Sequence, residues 1–257
     1  MKNIDKYKII RLDLINKRNQ KIVGYLYKPL KVGKMPLVIY AHELANTHEK
    51  GEPYAKFLAN KGIATYIFDF PGGSDKSASD GLTTEMSVIT EKDDLNDVIK
   101  ILKRKHFVDK NNIFILGASQ GGHVAALSAA ENAKSINSLI LMYPGFVSYF
   151  MSHQNYKTIE EIPDKFNFRG WIEVGKRFVT DIWNQNPYDV IGKYPGNVLI
   201  LHGDEDRIVP IEYSLRAVDA YANAKLIIIK GARHIFFNEN IDIACKHIIK
   251  FIINNLK

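Results

Sequence analysis

Six uninterrupted apolar runs, at residues 37–41, 63–68, 113–116, 139–142, 198–201 and 226–229, set the frame for this 257-residue chain. An alternating pattern would describe a sheet with one wet face. Continuous runs of strand length describe strands covered on both faces, the environment of a parallel sheet. Helical stripes separate most of them. Tyr54, Phe57 and Leu58 share one face of a segment that Gly62 stops. Leu95, Val98, Ile99 and Leu102 follow the i, i+3, i+4, i+7 spacing, and the last stripe carries Ile241, Cys245, Ile248, Ile249, Ile252 and Ile253. Strand-helix alternation of this kind predicts an α/β fold, a doubly wound and mostly parallel sheet flanked by helices. Two antiparallel strands, 7–16 and 20–28, joined near 17–19, are expected ahead of it.

One interval breaks the rhythm. Between 145 and 194 no clear strand is visible, yet the stretch holds both tryptophans, Trp171 and Trp183, with Phe146, Tyr149, Phe150, Tyr156, Phe166, Phe168 and Phe178. It is too long for a plain loop. The expectation is a core of residues 1–144 and 195–257 with a small helical lid inserted at 145–194. Its aromatic residues either pack the lid onto the body or line a substrate pocket, with Phe146, Trp171 and Trp183 the candidates for the second role.

Composition narrows the classes. A hydrophobic fraction of 46% supplies a large core. The single cysteine, Cys245, excludes an internal disulfide and occupies an apolar helical position where burial is expected. Residues 1–8 are polar and charged, unlike a signal peptide, and no apolar run approaches a membrane span. A cytoplasmic protein is expected. The formal charge of +7 is spread along the chain, and its densest group, Lys100, Lys103, Arg104 and Lys105, closes a helix, where cations complement the dipole. That reads as a solvated face rather than a nucleic-acid surface.

The run at 113–116 feeds directly into Gly117-Ala118-Ser119-Gln120-Gly121-Gly122, and a helix-compatible stretch with Ala125, Ala126 and Leu127 follows. Strand, tight turn and helix in that order are the setting of a nucleophile elbow. Such a turn strains the serine backbone and needs small flanking residues, which Gly117 and Gly121 provide. Alone, the pentad also describes a Gly-rich turn with Ser119 as a helix N-cap. Its downstream partners favour the catalytic reading. A serine hydroxyl needs a base, and the expected chain order is serine, acid, histidine. The run at 198–201 leads into His202-Gly203-Asp204-Glu205-Asp206, and the run at 226–229 leads into Gly231-Ala232-Arg233-His234. Both clusters follow strands, at the carboxyl edge where such sheets bind ligands. His234 is the expected base, losing activity as pH falls through a value nominally about 6.5. Asp206 is the expected orienting acid, with Asp204 as competitor and Glu205 behind it. His202 is expected to fix the acid loop. His42, Glu43 and His48 lack the His-Glu-x-x-His spacing of a zinc helix, so no metal is expected. His106, His123, His153 and His247 show no partner pattern. Oxyanion donors are expected from the backbone N–H of Gln120 and, in the loop after 37–41, of Leu44.

At these residues the chain resembles a serine carboxylesterase of the α/β-hydrolase superfamily, and is most similar to the bacterial cinnamoyl or feruloyl esterases. Gly-x-Ser-Gln-Gly-Gly at 117–122, His-Gly-Asp-x-Asp-x-x-Val-Pro at 202–210, Gly-x-x-His at 231–234 and Ser-Asp-Gly at 79–81 carry the likeness. It implies hydrolysis of carboxylic esters, with small, medium or cinnamoyl-type acyl groups, through an acyl-enzyme, without a cofactor and beneath a lid. A small-molecule ester is then the partner, with no nucleic acid or membrane involved, and a homodimer stays open. Two departures stand out. His42-Glu43-Leu44 replaces the group's His-Gly-aromatic, which brings a carboxylate to the oxyanion loop, and Ala118 replaces the commoner histidine. A peptidase or thioesterase using the same triad is the alternative, as is a non-catalytic binding protein with a degraded oxyanion loop.

Overall fold

The computed structural model describes residues 5–257, and residues 1–4 of the polar N-terminal stretch lie outside it. The chain runs through β1 (Tyr7–Arg11), β2 (Leu14–Ile15), β3 (Lys21–Ile22), β4 (Gly24–Pro29), β5 (Met35–Ala41), α1 (Glu52–Asn60), β6 (Ala64–Phe68), α2 (Val88–Leu102), β7 (Val108–Ala118), α3 (Gln120–Glu131) and β8 (Ser138–Met142). It continues with α4 (Val147–Asn155), β9 (Lys165–Phe168), β10 (Ile172–Gly175), α5 (Arg177–Thr180), α6 (Pro187–Ile191), β11 (Asn197–Gly203), α7 (Glu212–Ala220), β12 (Ala224–Ile229) and α8 (Glu239–Asn254). Eight strands form one sheet in the order β1-β4-β6-β5-β7-β8-β11-β12. The six from β6 to β12 in that order are parallel, and β4 and β1 add an antiparallel margin.

The uninterrupted runs are the middle strands. Every residue of β6 and β8 is buried, because helices cover both faces. On one face Val88, Leu95 and Val98 of α2, Val124 and Ala125 of α3, Ile191 of α6 and Ala217 of α7 share a cluster with inward side chains of the strands. On the other, Tyr54 and Leu58 of α1 meet Cys245, Ile248 and Ile252 of α8. The sheet is thus doubly wound, as the periodicity predicts.

The structure differs from the sequence expectations in three places. The N-terminal pair divides: β1 joins β4 in the main sheet, while β2 and β3 form a separate two-residue ladder. The break falls at Leu12, whose carbonyl accepts from the Tyr66 hydroxyl at 2.8 Å. β12, the outermost strand, is only partly covered: Leu226 and Ile229 pack into the clusters on opposite faces, while Ile228 is 52% exposed. And the 145–194 interval is not purely helical. β9 and β10 form an antiparallel hairpin with Phe168 opposite Ile172; Arg169 (φ 55°) and Gly170 (φ 74°) both lie in the left-handed region, the backbone of a type I′ turn, which the Trp171 amide closes on the Phe168 carbonyl at 3.0 Å. Ile172 and Val174 bury one face of it with Met86, Phe178 and Val179. The Ser87 hydroxyl, which caps α2, also donates to Asp181 at 2.6 Å and ties this insertion to the scaffold. The end of the interval belongs to the body, since α6 packs on α3 and α7.

Candidate active site

Ser119 stands between β7 and α3 with φ 51° and ψ −119°, a backbone state that side chains other than glycine rarely hold. The surroundings enforce it. A Cβ on Gly121 would lie 2.2 Å from the Ala41 carbonyl oxygen, and one on Gly117 would lie 2.4 Å from the Gly121 oxygen. Strand and helix therefore approach closely only because both positions lack a side chain. The Ser119 hydroxyl makes no N-cap hydrogen bond. It projects instead toward His234.

The loops after β11 and β12 supply the partners. His234 Nε2 lies 2.8 Å from Ser119 Oγ, and Nδ1 donates to Asp206 Oδ2 at 2.7 Å. With Nδ1 donating, Nε2 is left to accept the serine proton. Asp206 is held in turn: its Oδ1 accepts from the Ile208 and Val209 amides at 2.8 and 2.9 Å. Burial alone would raise its carboxyl. Hydrogen bonds from His202 and His234, the His234 charge and the Val209 amide outweigh that and keep it well below the usual carboxylate range. The buried His202 donates Nε2 to the Val209 carbonyl at 2.9 Å, with Asp206 Oδ2 3.1 Å away, and its Nδ1 accepts from the Ser214 hydroxyl at 2.6 Å. It fixes the acid loop onto α7. The competing Asp204 faces elsewhere, accepting from the Gly231 amide at 2.6 Å.

Beside the hydroxyl, the backbone N–H groups of Gln120 and Leu44 donate to no protein acceptor among the described residues. Gln120 begins α3, so its N–H is one of the free donors at a helix N-terminus. Its side chain is anchored by Glu91, a buried residue of α2 whose Oε2 accepts from Gln120 Nε2 at 2.9 Å. His42 holds the loop from beneath: Nδ1 donates to the Glu43 carbonyl at 2.8 Å and Nε2 accepts from the Phe70 amide at 3.0 Å. The carboxyl of Glu43, a departure from the expected motif, accepts from the Tyr143 hydroxyl at 3.0 Å and the Tyr40 hydroxyl at 3.3 Å. Burial, with the Glu43 charge adding, pushes both phenols well above their ordinary value, so they remain donors. The Tyr143 ring also lies 4.8 Å from the His234 ring. Glu43 is thereby tied into the floor under the imidazole.

Two cavities meet at Ser119. The larger, about 660 Å³, is bordered by His234, Leu44 and the loops of Arg207 and Arg233. The smaller, about 40 Å³, lies toward Gln120 and Gly145 and is lined by Phe168 and Phe178. Trp171 borders both. The other two aromatic candidates are corrected. Phe146 is fully buried in the core, against His123 and Tyr188. Trp183 stacks on His153 at 4.3 Å and borders neither cavity. Aromatic content alone carries no information about direction, which is why the three could not be told apart. Glu91, Tyr143 and Gly145 went unrecognised in the sequence, because each acts through a neighbour distant along the chain. Among the described residues no three His, Cys, Asp or Glu side chains gather as a metal site, and no helix is long and apolar enough to cross a membrane.

Comparison with known proteins agrees with this architecture. Bem46 of Schizosaccharomyces pombe is 29% identical over 178 residues, which is 68% of this chain and 52% of bem46. The quorum-quenching protein AidA of Acinetobacter baumannii is 28% identical over 115 residues, 44% of this chain and 37% of AidA. The chain spans about half or less of the length of the curated relatives it matches. Among solved structures, Est1E from Butyrivibrio proteoclasticus with ferulic acid bound is 25% identical with a TM-score of 0.86, covering 95% of this chain and 98% of that one. The sequence profile of the prolyl oligopeptidase family matches residues 52–257. That span takes in Ser119, Asp206 and His234 together with all but one of the parallel strands, and the chain belongs to the prolyl oligopeptidase family, within the α/β-hydrolases.

Proposed function

We propose that the protein is a serine ester hydrolase working through an acyl-enzyme. The observation that carries this reading is the continuous line of hydrogen bonds from Ser119 Oγ to His234 to Asp206. His234 Nε2 takes the serine proton as Oγ attacks the ester carbonyl. The oxygen of the tetrahedral intermediate draws on the Gln120 and Leu44 amides, each of which supplies roughly 2.7–4 kcal/mol of transition-state stabilisation. The imidazolium, steadied by Asp206, returns the proton to the leaving alcohol. Water then repeats the sequence on the acyl-enzyme and releases the acid. Ser119→Ala is expected to abolish hydrolysis of p-nitrophenyl acetate and labelling by a fluorophosphonate probe while leaving the unfolding midpoint near wild type. Turnover equal to wild type in that variant rules the reading out.

Membership of the prolyl oligopeptidase family supports a second reading, a peptidase on the same three residues. The acyl-enzyme chemistry is common to both, so a panel of esters, thioesters and aminoacyl amides of one acyl group separates them. Cleavage of the amide at a kcat/KM comparable with the ester favours the peptidase.

A further inference from the structure

The two cavities divide the reacting ester, and their chemistry differs. This division follows from the hydrolase reading above. In that mechanism His234 delivers its proton to the departing alcohol, so the alcohol half must lie on the His234 side, in the cavity of about 660 Å³. The acyl half then lies beyond the Gln120 amide, where about 40 Å³ remains between Gly145, Phe168, Trp171 and Phe178. That space suits a two- or three-carbon acyl group.

The mouth of the larger cavity carries two arginines. Arg207 follows Asp206 and Arg233 precedes His234, so the loops that carry acid and base also carry two exposed guanidinium groups to the cavity wall. Among the described residues neither forms an ion pair within 4.0 Å. Arg169 lies 5.5 Å from the Trp171 ring on the hairpin side, and Lys50 lies 5.9 Å from the ring of Phe237, another wall residue. Against these stand Glu205 at the rim and Glu43, whose carboxyl is engaged by two phenols. A guanidinium fork presents paired N–H donors to carboxylate or phosphate oxygens.

We propose that the substrate is a short-chain acyl ester of a bulky alcohol or phenol that carries its own anionic oxygen group, carboxylate or phosphate, and that Arg207 and Arg233 select it. Hydrolysis breaks the acyl C–O bond; water supplies the oxygen of the released acid, and the proton goes to the alkoxide, leaving the anionic group untouched.

The test compares 4-acetoxybenzoate and 4-acetoxyphenyl phosphate with the neutral methyl 4-acetoxybenzoate. Each kcat/KM is divided by that ester's own hydroxide-catalysed rate, which removes differences in leaving-group reactivity. At low ionic strength the acidic-to-neutral ratio is expected to be about ten, the combined effect of two exposed ion pairs, and to shrink in 0.5 M salt. The larger of the two acidic ratios identifies the group as carboxylate or phosphate. R207Q/R233Q is expected to lower the ratio about tenfold, and each single variant about threefold, so an unstable double variant leaves the singles to decide. Ratios at or below one, or unmoved by the substitutions, overturn the proposal while fluorophosphonate labelling and hydrolysis of the neutral ester keep the hydrolase reading intact. A cinnamoyl ester of the same phenol turned over faster than the acetyl ester overturns the short-acyl half. No hydrolysis of any of these esters, with no labelling, removes both.

Discussion

Glu91→Gln tests the buried support of the oxyanion side. Glu91 is 1% exposed and accepts from Gln120 Nε2 at 2.9 Å. Burial pushes its carboxyl up from an ordinary 4.5 to about 8; the Gln120 hydrogen bond works the other way, and the charge of Asp94 adds to the rise. The folded protein therefore keeps a proton that the unfolded chain releases between pH 4.5 and about 8. Where the unfolded state binds fewer protons, stability falls as pH rises. The contribution is fully present below pH 4.5 and is lost by about pH 8. At about 1.36 kcal/mol per pH unit, the loss across that window approaches about 5 kcal/mol, less whatever local relaxation and water entry recover. Glutamine keeps the shape and the acceptor for Gln120 but cannot ionise. E91Q should match wild type near pH 4.5 and exceed it by roughly 3–5 kcal/mol near pH 8.5. At about 2–4 °C per kcal/mol for a chain of this size, the gap in Tm widens by roughly 6–20 °C. Part of the pH slope survives, because Asp94 is itself raised to about 7, chiefly by burial. Thermal or urea unfolding of both proteins from pH 4.5 to 8.5 measures the gap. A difference that stays constant across the range refutes the assignment of a protonated Glu91.

Asp206→Asn presents an amide where His234 Nδ1 now donates, favouring the wrong imidazole tautomer; kcat for p-nitrophenyl acetate should fall by about 10⁴. Gly145→Ala places a Cβ 3.1 Å from the Gln120 nitrogen and the Ser119 carbonyl oxygen. Steady-state kinetics should show a loss of about 10²–10³, in kcat rather than KM, if the amide donor is displaced. Phe146→Ala empties a core position, so denaturant unfolding should show about 3–5 kcal/mol of destabilisation, with acyl-chain preference as in wild type. Trp171→Ala instead opens the wall between the cavities and should shift that preference toward longer acyl groups, read from kcat/KM across acetyl to octanoyl esters.

The runs at 113–116 and 139–142 were legible as strands because burial on both faces leaves no polar position to confuse the period. Ser119 and its downstream partners were legible for a related reason: each lies in a short polar cluster at the carboxyl end of such a run, so order along the chain implies one rim of the sheet. The structure brings those three side chains within hydrogen-bond distance. The hairpin at 165–175 was hidden by its turn. Lys165 to Phe168 does alternate, but Arg169-Gly170 is not the Asn-Gly or Asp-Gly pair that marks such turns. Glu91 was hidden more deeply. On α2 it reads as one charge among several, and only the packing of α2 on α3 makes it a buried anchor.

Trp171 stands where the two chambers touch, on a flap outside the parallel strands. With Leu44 and Ile208, which also border both chambers, its indole forms the boundary between the two halves of any ester bound there. Exchanging that side chain, or lengthening the flap by a residue, could redraw which molecules fit without disturbing a buried strand or the hydrogen-bonded line behind it.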